Sequence, residues 1–300
     1  MTSKQPIQLL VTDLDNTLYD WITSFVPAFY SMVDVASGLL DTPKEKLLDE
    51  LQAVHRLYGN SEHPYALLET PTVASQFLGL SRDEKRERLD PAFHAFNRAR
   101  KNSLRLYDGV RETLEVLRQS GAVVVAHTDA YAGNSLFRLG RLQLTELISR
   151  LYAPQYEMKS AMMHIPSGSA DVPTHYLRPL PFEERKPNPQ VLIDICADHL
   201  VLPANTLYVG DSLTRDVYMA ERAGVHSAWA RYGNDYNRDL WPRLVRVTHW
   251  TEQDVLREKN LQAEARNVVP DVELASFSEV LDHFRFSGRV GRGMSESVPR

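Results

Sequence analysis

In Ile7-Gln8-Leu9-Leu10-Val11-Thr12-Asp13-Leu14-Asp15-Asn16-Thr17 an apolar run stops abruptly at two carboxylates and a hydroxyl. Such a run fits a strand buried on both faces of a sheet, so the polar residues fall at its carboxyl end. Val123-Val124-Val125-Ala126 and Thr206-Leu207-Tyr208-Val209-Gly210 repeat the pattern, and Ser227-Ala228-Trp229-Ala230 supplies a further strand. Between them the spacing predicts helices over 110–120, closed by Gly121, and over 214–223, closed by Gly224. A third, over 189–200, has Asn188 as N-cap and Pro189 in its first turn. Strands alternating with helices imply right-handed βαβ units and an α/β fold with a doubly wound, mainly parallel sheet.

Residues 19–106 break this rhythm, carrying helical signals and no convincing strand, and read as an inserted all-helical domain. Ser81-Arg82-Asp83-Glu84 has the form of a capping box, and Pro91 is expected to kink or divide the helix it heads. Tyr107-Asp108-Gly109 marks the return to the sheet, giving a core of 1–18 and 107–286 around the insertion and a frayed tail at 287–300. The polar stretch 154–184 is long for a loop in an α/β domain. Apolar residues are 43% and charged residues 24% of 300, with a formal net charge of -5. That balance argues against a nucleic-acid partner and against a disordered chain. Cys196 is the single cysteine, which points to a reducing compartment. With no secretory pattern at the start and no apolar run near bilayer length, a cytoplasmic protein without membrane contact is expected.

In an open parallel sheet, ligands bind beyond the carboxyl ends of the strands. Three strands deliver polar residues there: the first Asp13, Asp15 and Thr17, the second Thr128 and Asp129, the third Asp211, Ser212 and Asp216. Lys186, just before the helix headed by Asn188, adds an ammonium suited to holding an anion. Taken singly, each of these is more often a turn, a helix cap or solvated surface.

Together they resemble the haloacid dehalogenase-like hydrolase superfamily. Its four motifs are matched by Val11 to Leu18 (VTDLDNTL), by Thr128, by Lys186-Pro187-Asn188-Pro189 and by Gly210 to Asp216 (GDSLTRD). The resemblance implies a Rossmann-like core with the first strand central, and it makes residues 19–106 a helical cap domain. It further implies a magnesium-dependent phosphatase acting on a small phosphorylated metabolite. Asp13 is then the nucleophile and, with Asp211 and the backbone carbonyl of Asp15, a metal ligand. Asp15 is the general acid and base, and Thr128, Lys186 and Asp129 are the phosphate-binding candidates. Asp216, Thr17 and Ser212 support these groups from behind.

The need for a cation follows from the chemistry, because a phosphate ester repels an attacking carboxylate until both are neutralised. Asp15 separates related reactions, since a halide leaving group needs no proton and a leaving alcohol does. A dehalogenase, a phosphomutase and a non-catalytic binding protein on the same scaffold are the alternatives. Asp15-Asn16-Thr17-Leu18-Tyr19 also resembles nucleotidase members, which suggests nucleoside monophosphates. His55, Tyr58, Tyr65, Arg98 and Lys101 are the cap residues available for specificity. His127 and Asp129 flank Thr128 where many relatives carry an apolar residue and Asn, so Asp129 reads as a helix cap or a substrate contact. His164 and His175, eleven residues apart with no cysteine nearby, do not suggest zinc, and Arg178 and Arg185 read as solvated.

Overall fold

The computed structural model describes residues 6–155, 173 and 175–288. In chain order, β1 (Leu9–Thr12) precedes α1 (Trp21–Leu39), α2 (Lys44–Tyr58), α3 (Pro71–Gln76), α4 (Arg82–Arg88) and α5 (Asp90–Ser103). The chain returns through α6 (Val110–Gln119) to β2 (Val123–His127), α7 (Ala132–Arg141), β3 (Arg150–Pro154) and β4 (Leu177–Leu180). Then follow α8 (Pro189–Asp198), β5 (Thr206–Gly210), α9 (Tyr218–Ala223) and β6 (His226–Ala230). Two helices, α10 (Leu240–Val245) and α11 (Glu252–Glu264), come before β7 (Val272–Leu274) and α12 (Val280–His283).

The seven strands form one parallel sheet in the order β4-β3-β2-β1-β5-β6-β7, with β1 at its centre. Thr12 sits beside Ala126 of β2 and Val209 of β5. The carboxyl ends of these three adjacent strands therefore converge, and each ends in a residue of the site. Alternation along β1 sends Leu10 into one apolar layer with Leu114 and Leu117 of α6. Leu9 and Val11 enter the opposite layer with Leu192 and Ile195 of α8 and Met219 of α9. Both faces are covered, which makes the sheet doubly wound.

Helices α1, α2, α3 and α5 bury a separate core, including Phe25, Val33, Leu47 and Leu51, while α4 buries no residue in it. Leu240 and Leu244 of α10, with Val247, join it from far along the chain. Ser81 and Glu84 form the capping box at the head of α4, and the helix pattern divides there, with Pro91 in the first turn of α5.

Three expectations need correction. An apolar stretch of near-bilayer length does exist: α1 has 19 residues with mean hydropathy 1.2, enough by length and composition to cross a membrane. Half of that stretch is buried within the protein, because α1 packs against α5 and α10. The stretch expected as a long loop contains β4 as an edge strand, whose Pro179 masks the strand pattern. β3 and the three-residue β7 also escaped the sequence reading. His164, most of the stretch before Lys186, and residues 289–300 lie outside the described residues.

Candidate active site

The turn after β1 is built on Asn16, which adopts φ 58°, a left-handed conformation that Asn tolerates better than most residues. Its amide donates to the Tyr19 carbonyl at 2.8 Å, and its Oδ1 accepts from the Trp21 amide at 3.2 Å. The turn leaves Asp13 only 6% exposed. Thr17 Oγ1 donates to Asp13 Oδ2 at 3.4 Å, and Tyr232 braces the turn through a 2.6 Å hydrogen bond to the Thr17 carbonyl.

Lys186 Nζ lies 2.5 Å from Asp13 Oδ1 and 2.9 Å from Asp216 Oδ1, all three side chains being buried. Asp216 comes from a single π-helical turn, Leu213–Val217, and its Oδ2 accepts from the Ser212 amide at 3.0 Å. Ser212 Oγ caps the same turn by accepting from the Arg215 amide. Gly210 makes room for Asp216, since a Cβ there would sit 2.3 Å from the carboxylate. Gly233 approaches Asn16 so closely that a Cβ would meet its carbonyl oxygen at 1.8 Å. Asn234 Nδ2 and Trp229 Nε1 both donate to the Asp211 carbonyl at 2.9 Å. Carboxylate oxygens of Asp13, Asp211 and Asp216 fall within 4.8 Å of one another, close enough to share a cation. Thr128, directly after β2, is buried, its amide donating to the Tyr152 carbonyl and its Oγ1 accepting from the Ala130 amide at 3.1 Å.

Asp15 engages a different partner. Arg138 Nη1, from α7, reaches Asp15 Oδ1 at 3.1 Å and Oδ2 at 3.3 Å. The other terminal nitrogen, Nη2, pairs with Glu62 Oε1 in the loop after α2.

The family model of the haloacid dehalogenase-like hydrolases matches this chain over residues 7–224. The chain belongs to that family. It is 27% identical over 239 residues to a phosphoglycolate phosphatase of Aliivibrio fischeri, covering 79% of this chain and 89% of the relative. It is 26% identical over 246 residues to a glyceraldehyde 3-phosphate phosphatase of Methanopyrus kandleri, covering 79% and 88%. Its fold matches a 2-haloacid dehalogenase from Pseudomonas syringae with TM-score 0.55 and 17% identity, over 92% of this chain and 97% of that one. A phosphatase of the same superfamily from Thermococcus onnurineus matches with TM-score 0.50 and 16% identity, over 92% and 97%.

In this haloacid dehalogenase-like hydrolase, burial pushes Asp13 up to about 7, opposed by the Lys186 charge and reinforced by Asp216. Burial, then the charges of Asp13 and Asp216, hold Asp211 well above the carboxylate range. For Lys186, burial works against the charged form, but Asp13 and Asp216 outweigh it and hold the ammonium well above its usual value. Burial also raises Asp15, with Arg138 opposing. A cluster with this much unbalanced negative charge is suited to a cation.

Asp129 spends a carboxylate oxygen on the Lys186 amide at 3.1 Å, so it fixes the lysine loop, while the N-cap position of α7 belongs to Tyr131. Of the cap residues considered for specificity, His55 is buried against the Val247 carbonyl at 2.6 Å. Tyr58 stacks on His63, Tyr65 packs edge-on to Phe93, and Arg98 and Lys101 are exposed. His175 offers its carbonyl to Arg150, Arg178 lies 4.0 Å from Asp198, and Arg185 stacks on Phe182. The residues the sequence reading missed are Arg138 and Glu62. The only signal was a basic residue on the helix after Thr128 and an acidic one in the Gly59-Asn60-Ser61-Glu62 loop.

Proposed function

We propose that this hydrolase is a magnesium-dependent phosphatase that cleaves a small phosphorylated metabolite through an aspartyl-phosphate on Asp13. The observation that carries the reading is the separation of Asp15 from the three-carboxylate cluster, with a cationic partner of its own. A second carboxylate kept apart in this way serves a leaving group that needs a proton, which an alcohol does and a halide does not. The names of the curated relatives point the same way, toward esters with short leaving groups.

The donor set fits magnesium: hard oxygens, three clustered carboxylates, of which Asp13 and Asp216 are buried, and one ammonium to offset them. Asp13 and Asp211 would hold the ion through side chains and Asp15 through its carbonyl. Asp216, with one oxygen on Lys186 and the other on the Ser212 amide, orients Lys186. At Asp13, Asp211 and the Asp15 carbonyl, magnesium would neutralise charge on the phosphoryl oxygens and on the nucleophile.

An Asp13 oxygen attacks phosphorus while Asp15 gives its proton to the departing ester oxygen. Asp15, now ionised, takes a proton from water, whose oxygen attacks phosphorus. The bond to Asp13 breaks, phosphate leaves, and Asp15 is again protonated. Thr128 donates its hydroxyl hydrogen to a phosphoryl oxygen, and Lys186 balances charge on the same group. Residues 19–106 act as the cap over the strand ends, with α10 built into its base.

Purified protein with magnesium, offered 2-phosphoglycolate, glyceraldehyde 3-phosphate, nucleoside monophosphates and sugar phosphates, is expected to release phosphate from at least one. Asp13→Asn is expected to abolish that release. No turnover across the panel, or an unchanged rate in Asp13→Asn, sinks the reading. Faster turnover of a haloacid than of any phosphate ester establishes the dehalogenase instead.

A further inference from the structure

Arg138 is buried, its side chain 8% exposed, and its fork is spent on two carboxylates from different parts of the fold. One is Asp15, on the turn after β1; the other is Glu62, on the loop after α2 and 76 residues away from the arginine. A buried ion triad is poor value as a stabiliser, because desolvation offsets most of the attraction, so its position calls for another explanation. A guanidinium is planar and rigid: fixing one edge fixes the direction of the other. Here Glu62 fixes the Nη2 edge, and Nη1 then meets both oxygens of Asp15.

The Glu62 loop is itself held in place. Ser61 Oγ pairs with His249 Nδ1 at 2.9 Å and accepts from the His249 amide at 3.0 Å. Asn60 Oδ1 accepts from the Glu62 amide at 2.9 Å, and Asn134 Nδ2, one turn before Arg138 on α7, reaches the Glu62 carbonyl at 3.5 Å. Arg138 therefore links a loop of the helical insertion to Asp15.

We propose that Arg138 is a positioning residue for Asp15 and that Glu62, seated by its loop, locks Arg138 in the orientation that makes Asp15 competent in proton transfer. The proposal rests on reading Asp15 as the acid and base of a phosphatase. Misplacement of a reacting group by about 1 Å costs on the order of a hundredfold in rate, so the arrangement is enough to make proton transfer depend on loop seating.

The test uses leaving groups. An alkyl phosphate needs a proton from Asp15 as its alkoxide departs, whereas p-nitrophenyl phosphate releases a phenolate that needs none. For Arg138→Gln and for Glu62→Gln, kcat/KM on the alkyl ester is expected to fall at least about tenfold more than on p-nitrophenyl phosphate. The double variant is expected to lose no more than Arg138→Gln alone, because both act on one linkage. Equal losses on the two substrates, or fully additive losses in the double variant, overturn the proposal. If Arg138→Gln does not fold, the ratio in Glu62→Gln decides alone, an unchanged ratio overturning it. Asp15→Asn is the control: a flat ratio there refutes the acid–base reading itself, whereas discrimination in Asp15→Asn without it in the other two refutes only the positioning.

Discussion

At the scale of single residues, Lys186 shows how closely stability and chemistry are joined. It stands between Asp13 and Asp216, and removing its charge leaves two buried carboxylates facing each other. Lys186→Met is expected to cost about 3–5 kcal/mol in urea unfolding and to abolish phosphatase turnover. A loss under about 1 kcal/mol indicates that the carboxylates find another counter-charge. Gly210 is constrained from the opposite direction, by space, since its Cβ would overlap Asp216. Gly210→Ala is expected to destabilise by about 1–3 kcal/mol and to lower kcat by displacing Asp216 from Lys186. Gly133→Ala, where nothing lies within 4 Å of the added methyl, serves as the control and is expected to be neutral or slightly stabilising.

Among the elements, α10 has a role its place in the chain does not suggest. It follows β6, yet Leu244, 1% exposed, packs into the core of helices α1, α2, α3 and α5. Leu244→Ala is expected to cost about 2–5 kcal/mol, read from the urea midpoint. The same junction is expected to be sensitive to acid. His55 is 1% exposed and bonded to the Val247 carbonyl, and burial lowers its pKa from 6.5 to about 4. His249, paired with Ser61, is lowered to about 4 by burial as well. Above pH 6.5, both the folded and the unfolded chain hold His55 neutral, and nothing is lost. As the pH falls below 6.5, the unfolded chain takes up a proton that the folded one refuses until about 4, so stability declines across that window. The full decline from His55 is roughly 3 kcal/mol. Unfolding free energies at pH 7 and pH 4.5 for wild type and His55→Gln measure it; an equal pH dependence in both shows that His55 contributes nothing.

For the whole molecule, the three carboxylates gathered from two strand ends and a π-helical turn predict that magnesium stabilises the fold. An ion at a hundred times its dissociation constant adds about 2.7 kcal/mol, so Tm should rise with magnesium, return on chelation and stay flat in Asp211→Asn. An unchanged Tm in wild type counts against a site at this cluster. The sequence was already informative about Asp13, Asp15, Thr128 and Asp211, because an apolar run that ends in polar residues marks a strand end, and about Lys186, because it stands just before the helix capped by Asn188. The central parallel strands and the helices with clear caps at Asn188, Gly121 and Gly224 were legible for the same local reason. The edge strands β4 and β7 were not, since one carries proline and the other has three residues, too few for a pattern. Periodicity and capping are written over a few neighbouring residues, and they carried the α/β class, the inserted helices and the strand ends. The Arg138 bridge from Asp15 to Glu62, the docking of α10 on distant helices and the burial of α1 depend on contacts between segments 76 or more residues apart or between whole helices. Such contacts leave no local pattern and arise only when the sheet and the helices pack.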